Sequence, residues 1–246
     1  MALLEQNRLL GEVFRDADHT LPVPTCPGWT FQQLFRHVGR GDRWAAHIVA
    51  ERSDGPIDPK SVPDGKPPED VDGAIEWFHD GARRLIESVA ATGPDTLVWT
   101  FVGPRPASWW IRRRLHESTV HRADAELALD LDFELSPELS ADGISEWLAI
   151  LAAEPAGRRT PPLEPATSLH LHASDEGLES DGEWFIQRDE DSLHVDHSHA
   201  KATTAVRGRA EHLLLSLTRR SAADGPGVDV VGDPTIWQTW LERTTF

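Results

Sequence analysis

The chain has 246 residues, 39% hydrophobic and 26% charged, with 41 acidic against 24 basic side chains for a net charge of −17. That balance excludes the basic surface a nucleic-acid phosphate backbone needs, and no run approaches the ~18–20 apolar residues of a membrane span. The single cysteine, Cys26, excludes an internal disulfide framework and Cys-rich zinc modules; the charged N-terminus lacks a small-residue cleavage site, and together these features place the protein in the cytoplasm.

The first half reads as helices. The first spans about 2–17, with Leu3, Leu4, Leu9, Leu10, Val13 and Phe14 on one face. A loop dense in breakers follows at 21–28. Thr30 and Gln33 then form a capping-box pattern for a second helix running to about Glu51. Gly39 and Gly41 inside it cost ~1 kcal/mol each relative to Ala and mark the close approach of another segment or a ligand. An exposed Pro- and Asp-rich loop covers 53–70, a third helix 71–91, an irregular stretch 93–107, a fourth helix 108–130 and a shorter one 137–153. Arg112, Arg113 and Arg114 on the fourth helix read as a solvated charged face, with steering of an anionic substrate as the alternative reading. Four long helices predict a bundle, a common setting for a metal site.

After a linker at 154–165 the period changes to two. Segments 168–173, 183–188, 192–195 and 203–206 alternate and read as short antiparallel strands with turns such as Asp181-Gly182. A helix at 210–220, a strand at 228–231 and a helix at 234–243 complete an α+β unit. The expected fold is therefore multi-domain, a helical domain over 1–155 and a small α+β domain over 166–246.

The fourth helix carries His116-Glu117-Ser118-Thr119-Val120-His121, one residue longer than the HExxH of zinc peptidases. At ~100° per residue, His116 and His121 lie roughly 140° apart and cannot grip one ion. Glu117 and His121 share a face, with Cβ atoms about 5–6 Å apart, so they are the usable pair. A catalytic zinc takes three protein ligands and keeps a fourth position open. His37, beside the apolar stripe of the second helix, is the preferred third donor, with a buried hydrogen-bonded core histidine as the alternative reading. His47 and His79 read as surface residues, Cys26 as a packed small hydrophobe. Arg122, Asp124 and Glu126 either orient the ligand histidine or form structural pairs, and Asp124 is the candidate carboxylate partner for that histidine. A surface group of His194, His197 and His199 reads as adventitious.

Three segments resemble the mycothiol-dependent maleylpyruvate isomerase family of actinobacteria. They are Val23-Pro24-Thr25-Cys26-Pro27-Gly28-Trp29-Thr30 leading into Leu34-Phe35-Arg36-His37-Val38-Gly39, then the stretch from Glu117 to Glu126, ESTVHRADAE, and last Val206 to Leu217, VRGRAEHLLLSL, with Val230-Val231-Gly232-Asp233. The resemblance implies a DinB-like four-helix domain followed by a sterol-carrier-like α+β domain. It implies that His37, Glu117 and His121 are zinc ligands and that mycothiol is the cosubstrate. It also points to an arginine of the second domain, for which Arg220 is the nearest match, although this chain reads Leu217-Thr218-Arg219-Arg220 where the family has a glycine before the arginine.

The function so implied is a zinc-dependent enzyme using a small-molecule thiol as nucleophile. As an isomerase, the thiolate adds to a cis double bond, the new single bond rotates, and elimination returns the trans isomer. As an S-transferase, the thiol stays on the electrophilic product. A non-catalytic small-molecule-binding protein with a structural or vestigial metal site is the alternative. The expected partners are a small-molecule thiol and an electrophilic substrate, on a monomer or homodimer.

Overall fold

The structure is a computed structural model that describes residues 2–154, 160–189 and 192–246. The chain divides into two compact units, Met1–Phe133 and Glu134–Phe246.

In the first unit, α1 (Ala2–Asp16), α2 (Phe31–Ala50), α3 (Val71–Thr92) and α4 (Ser108–Ala128) form the expected four-helix bundle. In cyclic order α1 packs on α3, α3 on α2, α2 on α4 and α4 on α1. The start of α2 is fixed as the sequence predicts. The Thr30 hydroxyl accepts from the Gln33 amide, and the Gln33 side chain accepts from the Thr30 amide. The core stacks Phe14 on Phe35 and Phe35 on Phe78, at centroid distances of 3.8 and 4.2 Å, with Leu10, Leu34 and Val38 closing around them. Each such side chain contributes about 1.5–3 kcal/mol of burial. The stretch read as irregular holds a two-residue-per-strand hairpin of β1 (Leu97–Val98) and β2 (Arg105–Pro106).

Gly39 and Gly41 do mark a close approach, and it is of chain rather than ligand. A Cβ on Gly39 would lie 2.3 Å from the Trp77 ring, and one on Gly41 would lie 2.6 Å from the Arg114 guanidinium. Trp77 has little room to yield, because its Nε1 donates to the Asp64 carbonyl at 2.7 Å and Arg43 covers its ring. Gly39→Ala is therefore expected to destabilise by about 1–2 kcal/mol, overpacking exceeding the gain in helix propensity. Urea unfolding would show a lower midpoint; an unchanged or raised midpoint would contradict this packing.

The second unit holds α5 (Pro137–Ala152), β3 (Ser168–Ala173), β4 (Glu183–Arg188), β5 (Leu193–Asp196), β6 (Thr204–Gly208), α6 (Ala210–Leu217), β7 (Val228–Gly232) and α7 (Pro234–Arg243). The sheet order is β5-β4-β3-β6-β7. Three expectations change here. The strands are not all antiparallel, because β6 returns to the free side of β3 and runs parallel to it. Asp181-Gly182 is not a two-residue hairpin turn but the end of a 3-10 turn at Glu179–Gly182. Helix α5, which the sequence places with the bundle, packs on α6 and β5 instead, and the Trp184 indole donates to the Ser145 hydroxyl at 2.9 Å. An apolar helix beside a linker belongs to whichever core buries it, and periodicity alone does not choose. Residues 155–159 of the expected linker lie outside the described residues. Leu169, Leu171, Trp184, Ile186 and Val206 are fully buried on one sheet face. No helix among the described residues is long and apolar enough to cross a membrane.

Candidate metal centre

The loop before α2 and the middle of α4 build the site together. Residues 21–30 fold back on themselves. Val23 N–H donates to the Trp29 carbonyl, Cys26 N–H to Val23, and Trp29 N–H to Cys26, all within 3.0 Å. Gly28 sits at φ 83°, a conformation L side chains rarely adopt. The turn sets the Trp29 ring 4.8 Å from the His37 ring and 6.4 Å from that of His121.

His37 on α2 meets Glu117 and His121 on α4. His37 Nε2 lies 3.8 Å from Glu117 Oε2, and His121 Nε2 lies 3.6 Å from the same oxygen. One donor atom from each of the three residues lies within 4.8 Å of the others. Their side chains are 44%, 19% and 8% exposed in the order His37, Glu117, His121, so the group opens to solvent on the His37 side. Asp124, buried and one turn further along α4, takes His121 Nδ1 at 2.8 Å, which turns Nε2 toward Glu117. The Cys26 thiol donates to the same Asp124 oxygen at 3.3 Å.

These residues fit a divalent transition metal. Four ligands at ~2.0–2.2 Å in a tetrahedron leave donor atoms roughly 3.3–3.5 Å apart, close to the separations here. Two imidazoles, one carboxylate and a carboxylate behind one imidazole are the donor chemistry such an ion uses. A second group, Cys26, His121 and Asp124, also lies within range, but it fits less well. Its carboxylate, Asp124, has no exposed surface, and the 2.8 Å contact with His121 Nδ1 serves as a hydrogen bond that orients Nε2 toward Glu117.

Electrostatics prepare the carboxylate. Burial works against ionising Glu117, but Arg113, the two imidazoles and Arg114 outweigh it and hold the carboxyl well below its ordinary value. Arg113 contacts Glu117 Oε1 closely and Arg114 Nη1 lies 3.4 Å from Oε2. Burial also opposes charge on His121, but Asp124, Cys26 and Glu117 prevail and push it up to about 10. His37 moves the other way. Desolvation around it exceeds the pull of Glu117 and lowers its pKa.

Residues 1–126 match the family model described as the mycothiol maleylpyruvate isomerase N-terminal domain. The chain belongs to the mycothiol maleylpyruvate isomerase family. Residues 138–239 match the MDMPI C-terminal domain. Two solved structures share the fold, the mycothiol-dependent maleylpyruvate isomerase and a His-to-Ala mutant of it. They are 16% and 15% identical, each covering 93% of this chain and 91% of the other at a TM-score of 0.54. A comparison with curated proteins gives no match.

In this member of the mycothiol maleylpyruvate isomerase family the other expected residues fall as follows. Arg122 is buried; its Nε donates to Gln6 at 2.9 Å, Nη1 to Glu126 at 2.8 Å, and the guanidinium stacks over Phe133. That set ties α4 to α1, the structural pairing that is one of the two roles read for Arg122 from sequence. Arg220 lies in the turn after α6, where Nη1 donates to the Thr218 carbonyl at 2.6 Å and the guanidinium covers Phe246 at 5.2 Å. Arg113 and Arg114 are buried rather than solvated. His79 is half-buried rather than on the surface, as is His47.

Sequence reasoning missed the network behind Glu117. Arg114 Nε donates to Asp42 at 2.8 Å, Arg114 Nη2 to the Val38 carbonyl at 3.0 Å, and Asn7 Nδ2 to Asp42 at 2.8 Å. An Asp next to a mid-helix glycine, on the face of α2 that carries Val38 and Ala45, is the signal that could have found it.

Proposed function

We propose that this protein is a metal-dependent enzyme that uses mycothiol or a similar small-molecule thiol as nucleophile on a maleylpyruvate-type cis-enoyl acid, isomerising it to the trans form. His37, Glu117 and His121 would hold one zinc or similar divalent ion. The observation that carries this reading is the convergence of their three donor atoms at a solvent-open edge, in a chain of this family. When bound, the ion would supply Lewis acidity, which brings a thiol to thiolate near neutral pH.

The chain's own residues prepare that chemistry. Asp124 fixes the His121 tautomer so that Nε2 faces the site. Arg113 and Arg114 keep Glu117 ionised, so it meets a cation as a carboxylate. The Trp29 ring shields one side of His37 from water. The reaction needs a nucleophile that departs again, and a thiol carried by a small molecule suits a site whose one cysteine is committed to Asp124.

The test uses tag-free protein loaded with zinc, mycothiol and maleylpyruvate, with formation of the trans isomer followed by chromatography. Turnover is expected only when thiol and metal are both present. Metal retention without thiol-dependent conversion would contradict the proposal and favour a binding protein, whereas accumulation of a thioether product would make it an S-transferase.

A pH dependence follows from the three groups. At pH 7 Glu117 is ionised and His37, with its pKa lowered, is mostly neutral, while metal-free His121 carries its extra proton up to about pH 10. Metal must displace that one proton. Apparent zinc affinity is expected to fall about tenfold per pH unit from pH 8 to pH 6.5, with close to one proton released per zinc at pH 7.5. Calorimetry in buffers of different ionisation enthalpy measures this; no proton release would contradict the assignment of His121.

A further inference from the structure

The second unit carries another convergence of ligating side chains, and the bundle site does not involve it. On β3 the residues alternate. Leu169, Leu171 and Ala173 are buried on one face, so His170 and His172 fall on the other. Glu183 on β4 stands directly across from His172 in the ladder. The connection between β5 and β6 then brings His199 to the same carboxylate. His170 Nε2 lies 2.6 Å from Glu183 Oε2, while His172 Nδ1 and His199 Nδ1 lie 2.7 and 2.9 Å from Oε1. The His170 and His199 rings meet edge to face at 5.2 Å. Donor atoms of His170, Glu183 and His199 all lie within 4.8 Å of one another.

This grouping replaces the one read from sequence. His194 pairs with Asp189 at 2.7 Å and His197 with the Ser180 carbonyl at 3.2 Å, so neither joins His199. Strand alternation could not show that His199 would meet residues 27 and 29 positions earlier, because the pairing depends on how the connection folds over β3 and β4.

We propose that His170, Glu183 and His199 form a second site for a divalent transition cation such as zinc or nickel, with His172 as the positioning residue that holds Glu183. Two imidazoles and a carboxylate are the ligands these borderline ions take. The set runs from buried to open: His170 is 3% exposed and Glu183 12%, so they form a fixed floor, while His199 at 69% lets an ion enter and closes on it. The chain's net charge of −17 concentrates cations at its surface. Three imidazoles from two separate segments around one carboxylate exceed what a sheet face needs to satisfy Glu183. A bound ion would pin the connection between Asp196 and Thr204 to β3 and β4. This inference does not rest on the proposed enzymatic function.

The test is equilibrium dialysis of the tag-free full chain against zinc, then nickel, with elemental analysis. His199 is exposed, so His199→Ala should fold even if a change at buried His170 does not; a thermal melt checks both. Wild type is expected to hold two zinc equivalents, His199→Ala one and His121→Ala one. His172→Ala should weaken the second equivalent about tenfold or more, and His194→Ala should leave it unchanged. Zinc should also raise the melting temperature of His121→Ala protein, and not of the His121→Ala/His199→Ala double variant. If the bundle site fails, wild type holds one equivalent that is lost with His199 and kept with His121. Retention of the wild-type stoichiometry and affinity by His199→Ala would overturn the proposal, leaving a hydrogen-bonded cluster only.

Discussion

His121→Ala is expected to abolish thiol-dependent turnover and to empty the bundle site. His121 is the residue on which the whole arrangement turns. Its Nε2 faces Glu117 and the opening, and its Nδ1 rests on Asp124. A bound ion contributes several kcal/mol of transition-state stabilisation, so a loss of ~4 kcal/mol, about 10³-fold in kcat/KM, is the least expected. The variant keeps the Cys26–Asp124 contact, so a thermal melt should still show a folded protein. Asp124→Asn provides the graded counterpart. It leaves all three donor atoms in place but weakens the hold on the imidazole, and metal affinity should drop about 10–100-fold. Full activity and one zinc equivalent per chain in His121→Ala, with the His199 cluster also removed, would show that the ligand set is wrong.

Asp42→Ala is expected to be among the most damaging single changes to stability. Asp42 has no exposed surface and joins three helices, through Arg114 on α4 and Asn7 on α1. Removing it leaves the buried Arg114 guanidinium with only the Val38 carbonyl and a 3.4 Å contact to Glu117, a loss of a buried partner that costs about 3 kcal/mol. Urea unfolding would report this, and Asp42→Ala/Arg114→Met should recover much of the loss because the buried guanidinium that lost its nearest carboxylate is then gone. The same variants test how the site is supported. Arg114 lies between Asp42 and Glu117, so losing its anchor should also weaken metal binding. A loss below about 1 kcal/mol in Asp42→Ala would mean the pair is not what joins these helices.

Much of this architecture could be read before any coordinates. The Thr30/Gln33 capping box fixed where α2 begins, and the four-residue spacing of Glu117 and His121 put them on one face. The order of helices and strands followed from the change of period near residue 160. What escaped had one physical origin, in that sequence patterns report the local surface of an element and not what covers it. Arg113 and Arg114 read as a solvated run, yet α4 is buried on nearly every side from Arg113 to Glu126. Buried charges there are held by partners far along the chain, Asp42 among them. Cys26 did pack against the bundle core, but its bond to an Asp 98 residues away leaves no trace in local pattern. The parallel pairing of β3 with β6, the docking of α5 on the second unit and the arrival of His199 at His170 likewise depend on long-range returns of the chain.

The central claim is that His37, Glu117 and His121 hold one ion between them, and zinc K-edge absorption tests it most directly. The sample is tag-free His199→Ala protein loaded with one equivalent of zinc, which confines the metal to the bundle unit. The expected spectrum has a nitrogen and oxygen shell with two imidazoles and no sulfur, and it loses one imidazole or the metal itself in His37→Ala. A sulfur scatterer at ~2.3 Å would place the ion on Cys26, His121 and Asp124 instead, and would contradict the account.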